Sequence, residues 1–131
     1  MAEAPYAYMV YVLDTVNWVR AQHTYLVDPE NPASEREPLP PLVLDSTLNA
    51  RALTHAKNMA NAGYQYHSGR GIESVKMEPF ANWTQQSGNA EGTFAVAHNT
   101  QFLDPYITKL GVGMVEYKGN LFSAVCSTTA G

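Results

Sequence analysis

Residues 48–69, LNARALTHAKNMANAGYQYHSG, decide the fold: they read as a helix, a glycine stop, and a histidine set down just outside the helix. Asp45 or Ser46 can accept the first free amide hydrogens, and Gly63 supplies the left-handed residue that ends helices, so the boundaries fall near residues 46 and 62. Leu48, Ala52, Met59 and Ala62 share one side at helical spacing, and Leu53, Ala56 and Ala60 widen it. Arg51, Thr54, Lys57, Asn58 and Asn61 gather on the other side. The small residues of the apolar side permit close packing against whatever covers it. His67 is what this helix delivers, and it is the first candidate for chemistry.

Working outward, a chain of 131 residues with 45% hydrophobic composition is long enough for a real core and fits one domain over residues 1–131. The formal charge is −4, and the eight basic residues form no cluster, so the electrostatic footprint of nucleic-acid binding is missing. Cys126 is the only cysteine, which excludes an internal disulfide and a cysteine-built metal site. The chain does not open on a signal peptide, and no run of about 20 apolar residues marks a transmembrane segment. The protein is therefore intracellular, or an export signal has been trimmed away.

Toward the N-terminus, Pro5 suits a first helical position and nothing breaks a helix over residues 6–25. Tyr6, Met9, Val10, Leu13 and Val16 make one apolar stripe, and Tyr8, Tyr11 and Trp18 a second. Two readings fit: a core helix at the domain edge, or an aromatic contact surface for a second copy, giving a homodimer through the first helix. Residues 26–44 carry Pro29, Pro32, Pro38, Pro40 and Pro41, which can neither sustain a strand nor propagate a helix, so they form a long surface loop that returns Leu42 and Leu44 to the core.

Toward the C-terminus, two glycines in Ser68-Gly69-Arg70-Gly71 permit a sharp reversal that lets Glu73 face the same cleft as His67. Phe80 and Trp83 should be buried, residues 90–102 read as a weak helix carrying His98, and Asp104-Pro105 ends it. Residues 111–117 and 121–128 form a hairpin around Lys118-Gly119-Asn120. Both its faces carry apolar residues, so helices must cover both: an α+β chain folded as a three-layer α-β-α sandwich with a small antiparallel sheet between helices.

The ordered set of these residues resembles the CAP superfamily (cysteine-rich secretory proteins, antigen 5 and pathogenesis-related proteins, or SCP-like domains), in its compact, cysteine-poor bacterial branch. Asn17-Trp18-Val19-Arg20-Ala21 is similar to the N-x-x-R-A pattern of the family's first helix, and Pro41-Leu42 through Asp45 and Leu48 to its P-L-x-x-D-x-x-L. The match continues through Ala52, His55-Ala56, Met59-Ala60 and Gly63 to His67-Ser68, with Ile72-Glu73-Ser74-Val75 where the family has G-E-N-I/V. Ala97-His98-Asn99-Thr100 through Leu103, Pro105 and Gly111-Val112-Gly113 resembles the bacterial G-H-x-x-N-x-L-x-P-x-Y-T-x-x-G-V-G run. The resemblance implies a secreted, extracellular protein with a cleft lined by two histidines and acidic residues, here His67, Glu73 and His98. It also implies sterol or lipid binding, divalent-metal binding or signalling, with no shared enzymatic activity established. The chain departs from the pattern at Ile72 and Ala97, where the family has glycine, and neither Glu91 nor Glu78 stands at the spacing of the family's second acid.

Two imidazoles and a carboxylate suit zinc or another divalent transition metal and leave a position open for water. The bland alternatives are a His67–Glu73 pair that merely orders its loop and a His98 that caps a helix. His23 and His55 have no acidic partner at ligand spacing and are expected at surface or boundary positions. Ser68, Ser74 and Ser87 lack the strained turn that exposes a nucleophile, and Cys126 reads as a buried, inert strand residue. Two functional classes remain. One is a secreted binding or interaction module whose cleft holds a metal, peptide or lipid; the other is a metal-assisted, peptidase-like hydrolase using the same cleft. The missing second acid favours the first, because such an enzyme needs a general base besides its metal ligands.

Overall fold

The structure is a computed structural model that describes residues 1–21, 30, 37–83 and 102–129. Its elements run β1 (Ala2–Glu3), α1 (Tyr6–Arg20), β2 (Val43–Leu44), α2 (Ser46–Ala62), β3 (Ile72–Pro79), β4 (Ile107–Tyr117) and β5 (Asn120–Thr129). The sheet has the order β1-β4-β5-β3 with antiparallel pairings, and β2 adds a short parallel pairing to β4. Two apolar clusters lie on its two faces. Tyr8, Val12 and Val16 of α1 pack with Leu110, Val112, Met114 and Val125, whereas Leu48, Ala52, Ala56 and Met59 of α2 pack with Val75, Val115, Phe122 and Ala124. The α-β-α layering expected from the two-faced hairpin is what the chain forms.

Helix α2 has the expected bounds for the expected reasons. The Asp45 carboxylate accepts from Leu48 N at 2.9 Å, and Gly63 closes the helix at φ 84° with its N–H on Met59 O. Gly111 and Gly113 of β4 let the helix lie directly on the sheet. A Cβ at Gly113 would stand 2.1 Å from Leu53 N, and one at Gly111 would stand 2.3 Å from Leu48 C. The outer edge of β4 is completed piecemeal: β2 pairs Lys109 and Leu110, Asn49 Oδ1 accepts from Val112 N at 2.9 Å, and Met114 O accepts from Ala4 N.

Several expectations are corrected. The covered stripe of α1 is Tyr8, Val12, Val16 and Val19 rather than the one starting at Tyr6, which is 67% exposed. Within one chain, Tyr8 is buried against Trp83, at a ring separation of 5.4 Å, and Trp18 is 59% exposed, so the described residues of one chain do not cover the aromatic stripe as a unit. Residues 72–79, to which the sequence reading assigns no strand, form an eight-residue strand along β5, from Ile72 opposite Ser127 to Pro79 opposite Asn120. Phe80 and Trp83 are half-buried rather than buried. The hairpin turn is two residues long, because Asn120 already pairs with Tyr117; Lys118 at φ 51° and Gly119 at φ 81° supply the left-handed pair that such turns require. Most of the proline-rich loop, the end of the first helix past residue 21, and the helix read over residues 90–102 lie outside the described residues, Phe102 apart.

Asn17 and Arg20 turn out to fasten the loop's return. Asn17 donates to Leu42 O and accepts from Leu42 N, a reciprocal pair that fixes the approach to β2. The fully buried Arg20 guanidinium donates to Pro40 O, Phe102 O and Asp104 O, satisfying three carbonyls at once.

Candidate functional site

The site is built where α2 ends and β3 begins. Past Gly63, the chain is held against the helix it has just left: a carbonyl can only accept, so His55 Nε2 donates to Tyr66 O, at 2.6 Å, and the His55 and Tyr66 rings meet edge to face at 5.0 Å. Gly69 and Gly71, at φ 81° and 59°, then reverse the chain into β3. Glu73, the second residue of that strand, is buried beneath the reversal. Its carboxylate accepts from Ser68 N at 2.7 Å and from Ser68 Oγ, stands 3.3 Å from His67 Nδ1, and lies 3.9 Å from His55 Nε2. A buried carboxylate is costly without such donors, and here a backbone amide and a hydroxyl supply them.

His67 and Glu73 are therefore brought together as expected, and His98 lies outside the described residues. The His67 ring is 63% exposed and turns Nδ1 toward Glu73, which leaves Nε2 for a ligand. The pair lines an open cleft of about 640 Å³ with Arg70, Ile72 and Asp104. Asp104 is fixed there through Arg20, which holds its carbonyl, and through its own Oδ1, which accepts from Tyr106 N. Among the described residues, no three His, Cys, Asp or Glu side chains form a group able to hold a metal ion. Both His67 and the cleft's carboxylates are chemically suited to a divalent cation, but a full ligand set needs a residue from beyond them.

Two features escaped the sequence reading. His55 is 6% exposed and faces Glu73, not solvent; it stands three residues after Ala52 and four before Met59, so helical spacing alone placed it on the apolar face. Asp104 read only as a helix stop, and no local pattern marks it as a cleft residue. Cys126 is buried as expected, with Sγ on Leu48 O. Burial pushes its thiol above the ordinary value, partly opposed by a hydrogen bond from Arg51. Burial likewise raises the Tyr8 phenol, helped by the nearby charge of Glu78. No helix among the described residues is long and apolar enough to cross a membrane.

Solved structures share this architecture. NaASP2, solved with Zn2+, superposes with a TM-score of 0.69 at 16% identity, covering 99% of this chain and 83% of that one. Hookworm platelet inhibitor follows at 0.63 and 13%, with coverages of 100% and 74%. An extracellular protein containing an SCP domain from Bacillus anthracis str. Ames gives 0.56 and 16%; 94% of this chain spans only 41% of that longer chain. At these identities the likeness speaks for the fold. No curated protein matches the sequence significantly. The model of the CAP, or cysteine-rich secretory protein, family matches residues 13–128, nearly the whole chain from α1 to β5, and the chain belongs to that family.

Proposed function

We propose that residues 1–131 act as one extracellular CAP-type binding module whose cleft takes a divalent transition metal through His67 and His98, with Glu73 orienting the His67 ring, and accommodates peptide or lipid beside the ion. The observation that carries this reading is the buried Glu73 carboxylate 3.3 Å from Nδ1 of an otherwise open imidazole, the arrangement by which outer-shell carboxylates orient metal-binding histidines. Its support from comparison is that NaASP2, of the same fold, was solved with Zn2+. The metal would polarise whatever oxygen or nitrogen donor completes its coordination. A cleft of about 640 Å³ is far larger than an ion needs, which leaves room for an organic ligand. The hydrolase reading is weaker, because Glu73 spends both oxygens on Ser68 and so lacks the freedom of a general base.

Calorimetric titration with zinc tests the proposal. Binding should be of modest affinity and should weaken as pH falls through the range in which imidazoles protonate, since only the neutral ring is a ligand. His67→Ala should remove it without lowering the unfolding temperature, because that side chain is exposed and packs in neither apolar cluster. Zinc binding that persists unchanged in the His67→Ala, His98→Ala double variant would end the metal assignment.

A further inference from the structure

On the solvent side of α2, Thr47, Arg51, Thr54 and Asn58 recur at helical spacing and form one stripe. The segment from Tyr66 to Arg70 stands opposite, anchored by the His55–Tyr66 and Ser68–Glu73 hydrogen bonds, and the two walls enclose a groove of about 550 Å³. The groove is separate from the His67 cleft, although Arg70 lines both. Its chemistry is one-sided in a chain of net charge −4: Arg51 and Arg70, the hydroxyl residues Thr47, Thr54 and Ser68, Asn58 and His55 line it, and no carboxylate does so among the described residues. Glu73 lies behind Ser68 with its oxygens turned onto the Ser68 amide and hydroxyl. Among the described residues, neither Arg51 nor Arg70 makes an ion pair, whereas Lys57, on the same helix, is paired with Glu3 at 3.2 Å.

A solvated helix face ordinarily mixes charges, whereas two arginines that form no ion pair among the described residues line this groove, together with the Tyr66 ring. Guanidinium forks flanked by hydroxyl donors match a tetrahedral dianion, and the Tyr66 ring and Ala50 offer apolar area to the group that carries it. We infer that this groove is an anion site for a phosphate monoester, bound between Arg51 and Arg70 with its organic substituent against Tyr66. The same chemistry is presented by a soluble phosphorylated molecule and by the head group of phosphatidic acid. The site stands apart from the His67 cleft, since His67 is not among its described lining residues.

The test titrates metal-stripped protein with phenyl phosphate and, separately, with phosphatidylcholine vesicles with and without phosphatidic acid. Saturable binding is expected in at least one arm, weakened by added salt and by roughly tenfold or more in Arg51→Gln/Arg70→Gln, as loss of charge-assisted hydrogen bonds implies. Arg70→Gln alone, at an exposed position, should give part of that loss with an unchanged melting curve. Lys57→Gln, which alters net charge equally but lies off the groove, should change nothing, and His67→Ala should bind phosphate as the parent does. Binding in the soluble arm identifies a free phosphate ester as the ligand source; binding to phosphatidic acid vesicles alone identifies a lipid head group. No binding in either arm, or binding that is equal in the double arginine variant, overturns the inference.

Discussion

Gly113→Ala should be among the most damaging single-methyl additions available to this protein. The added Cβ would lie 2.1 Å from Leu53 N and 2.2 Å from Ala52 C, where ordinary carbon contacts begin at about 3.5 Å. Helix α2 or strand β4 must therefore yield by roughly 1 Å. The obstacle is main chain, so no side-chain rotation relieves it. Inserting a methylene into a packed core costs about 1–3 kcal/mol, and a backbone obstacle places this case at or above the upper end. Lifting α2 also stretches the Asn49–Val112 bond that completes the edge of β4. A domain of this size loses about 3–5 °C per kcal/mol, so thermal unfolding followed by circular dichroism should show a fall of about 10 °C or more. Trimming the neighbouring side chain with Leu53→Ala in the same background should not restore it. A Gly113→Ala protein melting within about 2 °C of the parent, or one rescued by Leu53→Ala, would refute the claim that helix and strand touch backbone to backbone.

Asp45→Ala should cost about 1 kcal/mol by orphaning the Leu48 amide, while Asp45→Asn should recover most of it; paired melting curves decide. Cys126 should resist a thiol reagent in native buffer and react only as the protein unfolds, and stoichiometric labelling at a rate independent of denaturant would contradict this. Its raised folded-state pKa also has a sign: above the ordinary thiol value of 9.0 the unfolded chain sheds a proton that the folded chain keeps. Stability conferred by the neutral thiol is thus complete below that pH and is lost as pH rises toward the folded value. Cys126→Ala should flatten the alkaline limb of a stability-versus-pH curve and leave its acid limb alone.

What the sequence disclosed well was whatever one helix or one turn decides locally. Asp45, Gly63 and the alanine-rich face specify α2 without outside help, and Lys118-Gly119 specifies the hairpin. Strand β3 was missed because its neighbours hide the signal. Gly69 and Gly71 just before it, and Pro79 at its end, read as punctuation, and its alternation is blurred by a buried Glu73 and a buried Ser74. In α1 two overlapping aromatic and aliphatic stripes left the choice of face to tertiary packing, and the buried face, Tyr8, Val12, Val16 and Val19, takes one residue from each and two from neither. His67 and Glu73 were legible by resemblance, six residues apart across a glycine reversal. The role of His55 was not, since its partner is a carbonyl, and carbonyls leave no trace in a sequence pattern.

The division between fold and function within the family motif follows from the same contacts. Asn17, Arg20, Asp45, Gly63, Gly111 and Gly113 each perform a task on main chain: holding Leu42, gathering three carbonyls, capping α2, ending it, and letting it lie on β4. Few residue types do these jobs, so a chain can keep such positions and this architecture while sharing 13–16% of its residues with others of the fold. A match at those positions therefore reports architecture. Glu73 belongs to both ledgers, because its carboxylate ties Ser68 to the strand and at the same time faces His67. His67 differs from these: its ring is 63% exposed at the wall of the cleft and meets the buried Glu73 carboxylate at 3.3 Å, so its replacement tests the proposed chemistry with little disturbance of the fold.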